Sequence, residues 1–329
     1  MANLFEIRNL SVDYHGRGGT VRAVDDVSLD IRRGEILGLV GESGCGKSTL
    51  GKALMRLHRG KAEISSGELW FDGQDLMKLP EKRMRELRGA RMGMVFQDPM
   101  TSLNPVKRIV DHLTETVLTH RDDMTEREAR QRAEELVEVL GIRKDRIDDY
   151  PHQMSGGMRQ RVMIALALVL NCDLVIADEP TTSLDVIVEA KFLDLLKSLQ
   201  KEFNLTILLI THNIGVVAEV ADRVAVMYAG KMAELGEVGD VFADPKHPYT
   251  QGLLRSVPNI ELDGGDLYKM EGAPPNLLAP PSGCRFHPRC PFVMDVCPVE
   301  EPGFDPVHSD HRVACWLYQE HGSQEVSIG

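Results

Sequence analysis

The sequence predicts an α/β fold. It has a mixed sheet with an antiparallel β portion, a helical insert, and a small irregular C-terminal extension. Three observations carry that prediction. Apolar runs without a polar face recur at Ile36–Val40, Arg91–Phe96, Leu174–Ala177, Thr206–Ile210 and Arg223–Met227, and such runs suit strands covered on both sides of a parallel sheet. Helical stretches alternate with them, as crossover connections require. After residue 244 the composition turns proline-rich, with Pro245, Pro248, Pro258, Pro274, Pro275, Pro280 and Pro281, which sets the remainder apart as a small extension.

Taken in order, Leu4–Val12, Val21–Ile31 and Glu68–Phe71 are short apolar segments punctuated by turn residues, the pattern of antiparallel strands. Ile36–Val40 leads into Gly41-Glu42-Ser43-Gly44-Cys45-Gly46-Lys47-Ser48-Thr49 and then into the helical stretch Leu50–Leu57. Asp98–Leu170 reads as the helical insert. Within it Thr125-Glu126-Arg127-Glu128 matches a capping box, Ala129–Leu140 has helical apolar spacing, and Gly141 is a stop. Ser155 caps a further helix, and Val162–Leu170 is a buried helical run, too short for the ~20 apolar residues of a membrane span. There is no internal repeat. The expected division is 1–245 for the core, with its helical part at about 98–170, and 246–329 for the extension.

The 329 residues, 43% hydrophobic and 27% charged, suffice for a sizeable core. A net charge of −12 without a Lys/Arg block argues against nucleic acid as the ligand. The N-terminus lacks the basic and apolar regions of a signal peptide. A soluble chain in a reducing compartment is expected, where six cysteines do not imply disulfides.

Gly41–Thr49 fits G-x-x-x-x-G-K-[ST] in a strand–loop–helix context. The glycines let backbone N–H groups wrap phosphates, Lys47 places a point charge near the β- and γ-phosphates, and the Ser48 hydroxyl ligates Mg²⁺. Leu174–Glu179 ends a buried strand in two carboxylates. Asp178 holds Mg²⁺ and Glu179 polarises the attacking water, since phosphoryl transfer needs mainly positioning and charge neutralisation. His212 ends the next apolar strand, where open α/β sheets bind ligands, and serves as a γ-phosphate sensor. Gln97, at another strand end, reaches metal or water while its backbone leads into the helical insert. Tyr14, on an early strand end, offers a ring for stacking on adenine. Ser155-Gly156-Gly157 is a second anion site at a helix N-terminus. With one full phosphate loop already present, this second site is read as serving a neighbouring subunit.

In this order and spacing, the phosphate loop, Gln97, Ser155-Gly156-Gly157, Asp178-Glu179, Ser183-Leu184-Asp185 and His212 resemble an ATP-binding cassette (ABC) ATPase over about residues 4–245. The resemblance implies a P-loop NTPase core and a head-to-tail dimer with ATP between the phosphate loop of one subunit and the Ser-Gly-Gly of the other. Tyr14 is then the adenine-stacking aromatic, Gln97 a Mg²⁺ and water ligand, and Glu179 the catalytic base. His212 becomes the switch histidine, and Ser155, Gly156, Gly157 and Asp185 act in trans. The family signature ends in Gln where this chain has Met158. Methionine lacks the same hydrogen bonds, but Ser155 and the backbone N–H groups bind the phosphate, so activity is expected to survive. Phe96–Pro105, Tyr150–Arg161 and His247–Leu254 resemble the ATPases of dipeptide/oligopeptide permeases, and Met158 resembles their D-type partner. The implied partners are a second ATPase chain, in a heterodimer or a homodimer, two transmembrane permease subunits and, indirectly, an extracytoplasmic solute-binding protein, at the cytoplasmic face of the membrane. Nickel and oligosaccharides remain alternative cargoes. A soluble ABC ATPase of repair or translation is the other reading, disfavoured because neither a coiled-coil insertion nor a second cassette is present.

Cys284, Cys290, Cys297 and Cys315 cluster among prolines. Segments this small often need a metal or a cross-link. Four thiolates suit Zn²⁺ or a [4Fe–4S] cluster, and the spacing leans away from the tight C-x2-C of zinc sites. Similarity of Gly283–Pro291 to related peptide-permease ATPases implies [4Fe–4S]. Cys45 occupies a variable position of the phosphate loop, and Cys172 is read as a small buried hydrophobe.

Overall fold

The computed structural model describes residues 2–58, 60–97, 102–182, 184–256, 270–308 and 310–319. Two interleaved compact units divide the chain. One is Met1–Phe5, Ile31–Ile36 and Phe71–Ile210; the other is Glu6–Asp30, Leu37–Trp70 and Thr211–Gly329.

The first unit holds three parallel strands, β6 (Met92–Val95), β7 (Leu174–Asp178) and β8 (Thr206–Thr211), in the order β8-β7-β6. Every residue of β7 and β8 is buried, which is why their sequences run apolar without alternation. The helical insert comprises α3 (Ile109–His120), α4 (Glu126–Val139) and α5 (Gly156–Leu168), which pack on one another. Thr125 and Glu128 close the expected capping box: the Thr125 N–H donates to Glu128 Oε2 at 2.8 Å and the Glu128 N–H to Thr125 Oγ1 at 3.3 Å. Gly141 follows in the left-handed region at φ +71°. Arg130 grips Glu134 one turn on and clamps Asp148 through two bonds, at 3.1 and 2.7 Å, tying α4 to the segment beyond it. The long helix α6 (Val186–Phe203) ends at Asn204, also left-handed at φ +47°. A short helix, α2 (Glu81–Leu87), precedes β6.

The second unit contains a hairpin of β1 (Asn3–Gly16) and β2 (Gly19–Arg32), flanked on the β1 side by β4 (Ala62–Phe71). Its other sheet is mixed. β3 (Ile36–Val40) pairs in parallel with β9 (Arg223–Tyr228), and β9 pairs antiparallel with β10 (Lys231–Glu237). The helices of this unit are α1 (Lys47–Leu54), α7 (Ile214–Val220), α8 (Val238–Ala243) and α9 (Pro248–Arg255). The C-terminal extension adds an element absent from the sequence expectation. β11 (Asp305–His308) and β12 (His311–Val313) form a hairpin, and β12 pairs antiparallel with β10. Strands of four and three residues are too short to show a period. Tyr249 and Phe286 of the extension enter the same core as Val40, Val217, Val224 and Val226. Pro258 lies outside the described residues.

A buried carboxylate fastens the extension. Glu234 on β10 accepts from the Lys246 N–H (2.7 Å), the His247 N–H (3.0 Å) and His311 Nε2 (2.7 Å). His247 itself accepts the Tyr249 N–H at Nδ1 (3.0 Å), and burial holds its pKa down from 6.5 to about 4. The fold therefore refuses a proton that the unfolded chain takes up. Stability is expected to fall as pH drops from 6.5 to about 4, by up to about 3 kcal/mol, and to lose nothing further from this group below that window. Chemical denaturation across that range, compared with His247→Asn, which keeps an acceptor for Tyr249, should show the wild-type slope flattened. An unchanged slope would remove His247 as its source.

Candidate active site

In the second unit, β3 delivers Gly41 and the loop runs into α1. Gly46 is the residue before the helix and is left-handed at φ +109°. An added Cβ there would lie 2.2 Å from Ala23 O, so only glycine fits. Lys47 is buried, and its Nζ donates to Gly41 O at 2.7 Å and Glu42 O at 3.0 Å. Ser43 and Gly44 are exposed, while Ser48 and Thr49 are half-buried in the first turn of α1. Burial pushes the Cys45 thiol pKa up. Tyr14 Oη and Thr49 Oγ1 are 3.2 Å apart, which leaves the tyrosine ring partly exposed at the helix start. His212 follows β8 directly and is exposed, whereas Thr211 before it is buried and accepts the Asn213 N–H at 3.0 Å.

In the first unit, the parallel pairing of β6 and β7 sets Val95 opposite Ala177. Two residues further along each chain stand Gln97 and Glu179, and Gln97 Nε2 donates to Glu179 Oε2 at 2.9 Å. Residues 82 apart in sequence thus meet because of strand register. Asp178 is buried as the last residue of β7. Glu179 takes φ +47°, and its N–H donates to Ile210 O at 2.8 Å. A left-handed glutamate at a strand end is uncommon and concentrates at functional sites. Thr182 was not singled out by the sequence reading, and its Oγ1 donates to Glu179 Oε2 at 3.0 Å. Its only sequence signal is its position three residues after the glutamate.

Ser155 caps α5, its Oγ accepting the Met158 N–H at 3.3 Å. Ser155 and Gly156 are exposed, and nothing lies within 4 Å of a Cβ built on Gly156, so backbone N–H groups are open to an anion. Arg159 Nη1 donates to Met154 O at 2.6 Å and sets the turn before the cap. Asp185 caps α6 by accepting the Val188 N–H at 2.9 Å, with Val186 and Ile187 beside it strongly exposed. Residues 98–101 and Ser183 lie outside the described residues.

The four cysteines of the extension neighbour one another. Burial, then the nearby thiols, pushes Cys290 up to about 11 and Cys315 up to about 12, and Cys284 rises for the same reasons. Such shifts favour protonated thiols, and only a bound cation would reverse them in favour of thiolates. Among the described residues, no group of three or more His, Cys, Asp or Glu is arranged as a metal site. No helix among them is long and apolar enough to cross a membrane.

The chain is similar to known proteins along its length. Residues 24–182 match the ABC transporter family, and residues 233–297 match the oligopeptide/dipeptide transporter C-terminal region. The dipeptide transport ATP-binding protein DppD of Bacillus subtilis is 46% identical, covering 100% of this chain and 99% of the relative. The oligopeptide transport ATP-binding protein OppD of Salmonella typhimurium is 46% identical over 89% of this chain and 88% of its own. Among solved structures, an ATP-binding cassette captured as a dimer after hydrolysis with ADP and Pi has a TM-score of 0.65. It is 28% identical, covering 71% of this chain and 98% of that one. A cassette of a Clostridium perfringens ABC transporter complex reaches a TM-score of 0.64 at 30% identity, over 74% and 92% of the two chains. Alike from end to end and built on the same fold, the chain belongs to the ABC transporter ATPases, in the dipeptide/oligopeptide transporter branch.

Proposed function

We propose that this chain is the energy-coupling ATPase of a peptide importer, closing on a second ATPase chain around ATP and so moving two separate permease subunits from the cytoplasmic face. The observation that carries the chemistry is the Glu179 carboxylate, held by Gln97 Nε2 and Thr182 Oγ1. Hydrogen bonds from Gln97 and Thr182 hold that carboxylate in one orientation, as a base or water-orienting group requires. The Lys47 ammonium and backbone N–H groups of the Gly41–Thr49 loop, apart from that of Glu42, take the phosphates, and Tyr14 takes adenine. Ser48, Gln97 and Asp178 are the residues that would hold Mg²⁺, which would neutralise developing charge. His212 contacts the γ-phosphate. Ser155, Gly156, Gly157 and Asp185 serve the partner's nucleotide in trans. The match of the extension to the peptide-transporter C-terminal region supports peptides as cargo. Cys284, Cys290, Cys297 and Cys315 are the residues that would hold a [4Fe–4S] cluster, which would cross-link a segment with little core of its own.

One preparation tests both parts. The chain, purified anaerobically with its permease and partner ATPase and placed in vesicles, is expected to drive ATP-dependent uptake of di- or oligopeptides and to contain iron and acid-labile sulfide. Uptake of nickel or oligosaccharide instead of peptide would overturn the cargo, and a zinc-loaded, iron-free chain would overturn the cluster.

A further inference from the structure

The C-terminal extension holds the phosphate loop at Glu42. Its backbone N–H donates to Tyr249 Oη at 2.8 Å, and its carboxylate accepts Arg289 Nη1 at 2.8 Å and Nη2 at 3.0 Å. Its carbonyl oxygen accepts Lys47 Nζ at 3.0 Å and the Cys45 N–H at 3.3 Å. Every polar group of Glu42 is thus committed within this unit, and its N–H is spent on Tyr249.

The anchors are themselves rigid. Tyr249 is fully buried, and its ring lies 4.6 Å from Tyr228 and 5.5 Å from Phe286. The Arg289 side chain is 6% exposed, with its guanidinium over Tyr228 and Phe286. Arg289 also donates to Tyr228 Oη at 3.2 Å and, through Nε, to Glu271 O at 3.0 Å. A bidentate pair shielded in this way fixes orientation as well as charge.

We propose that Arg289 and Tyr249 are positioning residues of the nucleotide site: they fix Glu42, and through its carbonyl oxygen they fix where Lys47 presents its ammonium. The inference rests on the reading that Gly41–Thr49 holds the phosphates of ATP. The C-terminal extension thereby becomes part of the ATP site without touching ATP. Its consequence is a selective one. Loss of the clamp frees the loop to sample other shapes, which reduces the fraction competent to bind and so weakens ATP binding, while nucleotide that does bind reorders the loop. The Arg289 effect must also pass through Glu42.

The test measures ATP Kd on the full chain with a fluorescent ATP analogue, and kcat and KM for ATP on the assembled transporter. It covers wild type, Arg289→Ala, Arg289→Lys, Tyr249→Phe, Glu42→Gln and the Glu42→Gln/Arg289→Ala pair. Arg289→Ala is expected to raise Kd and KM about tenfold, a charge-assisted pair's worth, while kcat at saturating ATP changes far less. Arg289→Lys, which keeps the charge but not the two parallel bonds, should fall between. The double variant should be no worse than the more impaired single variant, because both remove one interaction. Additive losses, or a KM for ATP unchanged in Arg289→Ala, would overturn the proposal. Tyr249→Phe reads the same loop through the backbone anchor if Arg289→Ala fails to fold, and an unchanged Kd there would overturn it equally. A wild-type chain that binds no ATP would instead sink the underlying reading of the loop.

Discussion

Replacing Glu179 by glutamine is expected to leave ATP binding intact and to lower hydrolysis by roughly 10²- to 10⁴-fold, the range a positioned general base contributes. Glutamine keeps the carbonyl oxygen that accepts from Gln97 and Thr182 at 2.9 and 3.0 Å, so the local geometry survives. It lacks the basic oxygen that takes a proton from water. It also removes a negative charge, so affinity for the anionic nucleotide should hold or rise. The backbone at φ +47° treats the two side chains alike, and thermal denaturation checks that the variant folds. Phosphate release and nucleotide binding on the same sample decide the matter. Turnover near the wild-type rate would end the assignment of Glu179 as the base. Size-exclusion chromatography with ATP should show the variant accumulating as a dimer.

Gly46→Ala is expected to be far more damaging than Gly44→Ala two residues earlier in the phosphate loop. At φ +109° an L-residue is strained, and the new Cβ would stand 2.2 Å from Ala23 O and 2.8 Å from Met227 Cε. The oxygen belongs to the backbone of β2 and has no rotamer to escape into. Strain and overlap together should cost at least about 3 kcal/mol and displace Lys47, the next residue, so that ATP affinity falls with stability. Gly44→Ala is the matched comparison. Its φ is +80°, but nothing lies within 4 Å of the added Cβ, so only backbone strain of about 1–2 kcal/mol applies. Urea midpoints at constant slope, with nucleotide binding beside them, separate the two. Equal losses for the two variants would show that the contact with Ala23 contributes nothing.

Much of the site was legible because its residues sit in local patterns. Gly41–Thr49 lies in a strand–loop–helix frame, Ser155 directly caps α5, and Asp178-Glu179 ends a strand, so each could be placed from a dozen neighbouring residues. Buried parallel strands also declared themselves, since β3, β7 and β8 are covered on both faces and carry no polar alternation. The hairpin β11–β12 escaped notice because seven residues carry no usable period. Thr182 escaped because a hydroxyl beside a glutamate is indistinguishable in sequence from any loop threonine.

The sequence by itself determined the class of fold and singled out the phosphate loop and the carboxylate proposed as the base, since these depend on short-range backbone chemistry written in consecutive residues. Only the tertiary structure decided which distant side chains hold those groups in place. Gln97 meets Glu179 through strand register across 82 residues, and Arg289 meets Glu42 across 247. Such pairings are set by how whole elements pack. Burial makes them strong, because a shielded charge or hydrogen bond has no water to replace its partner, yet neither residue's immediate neighbours record the contact.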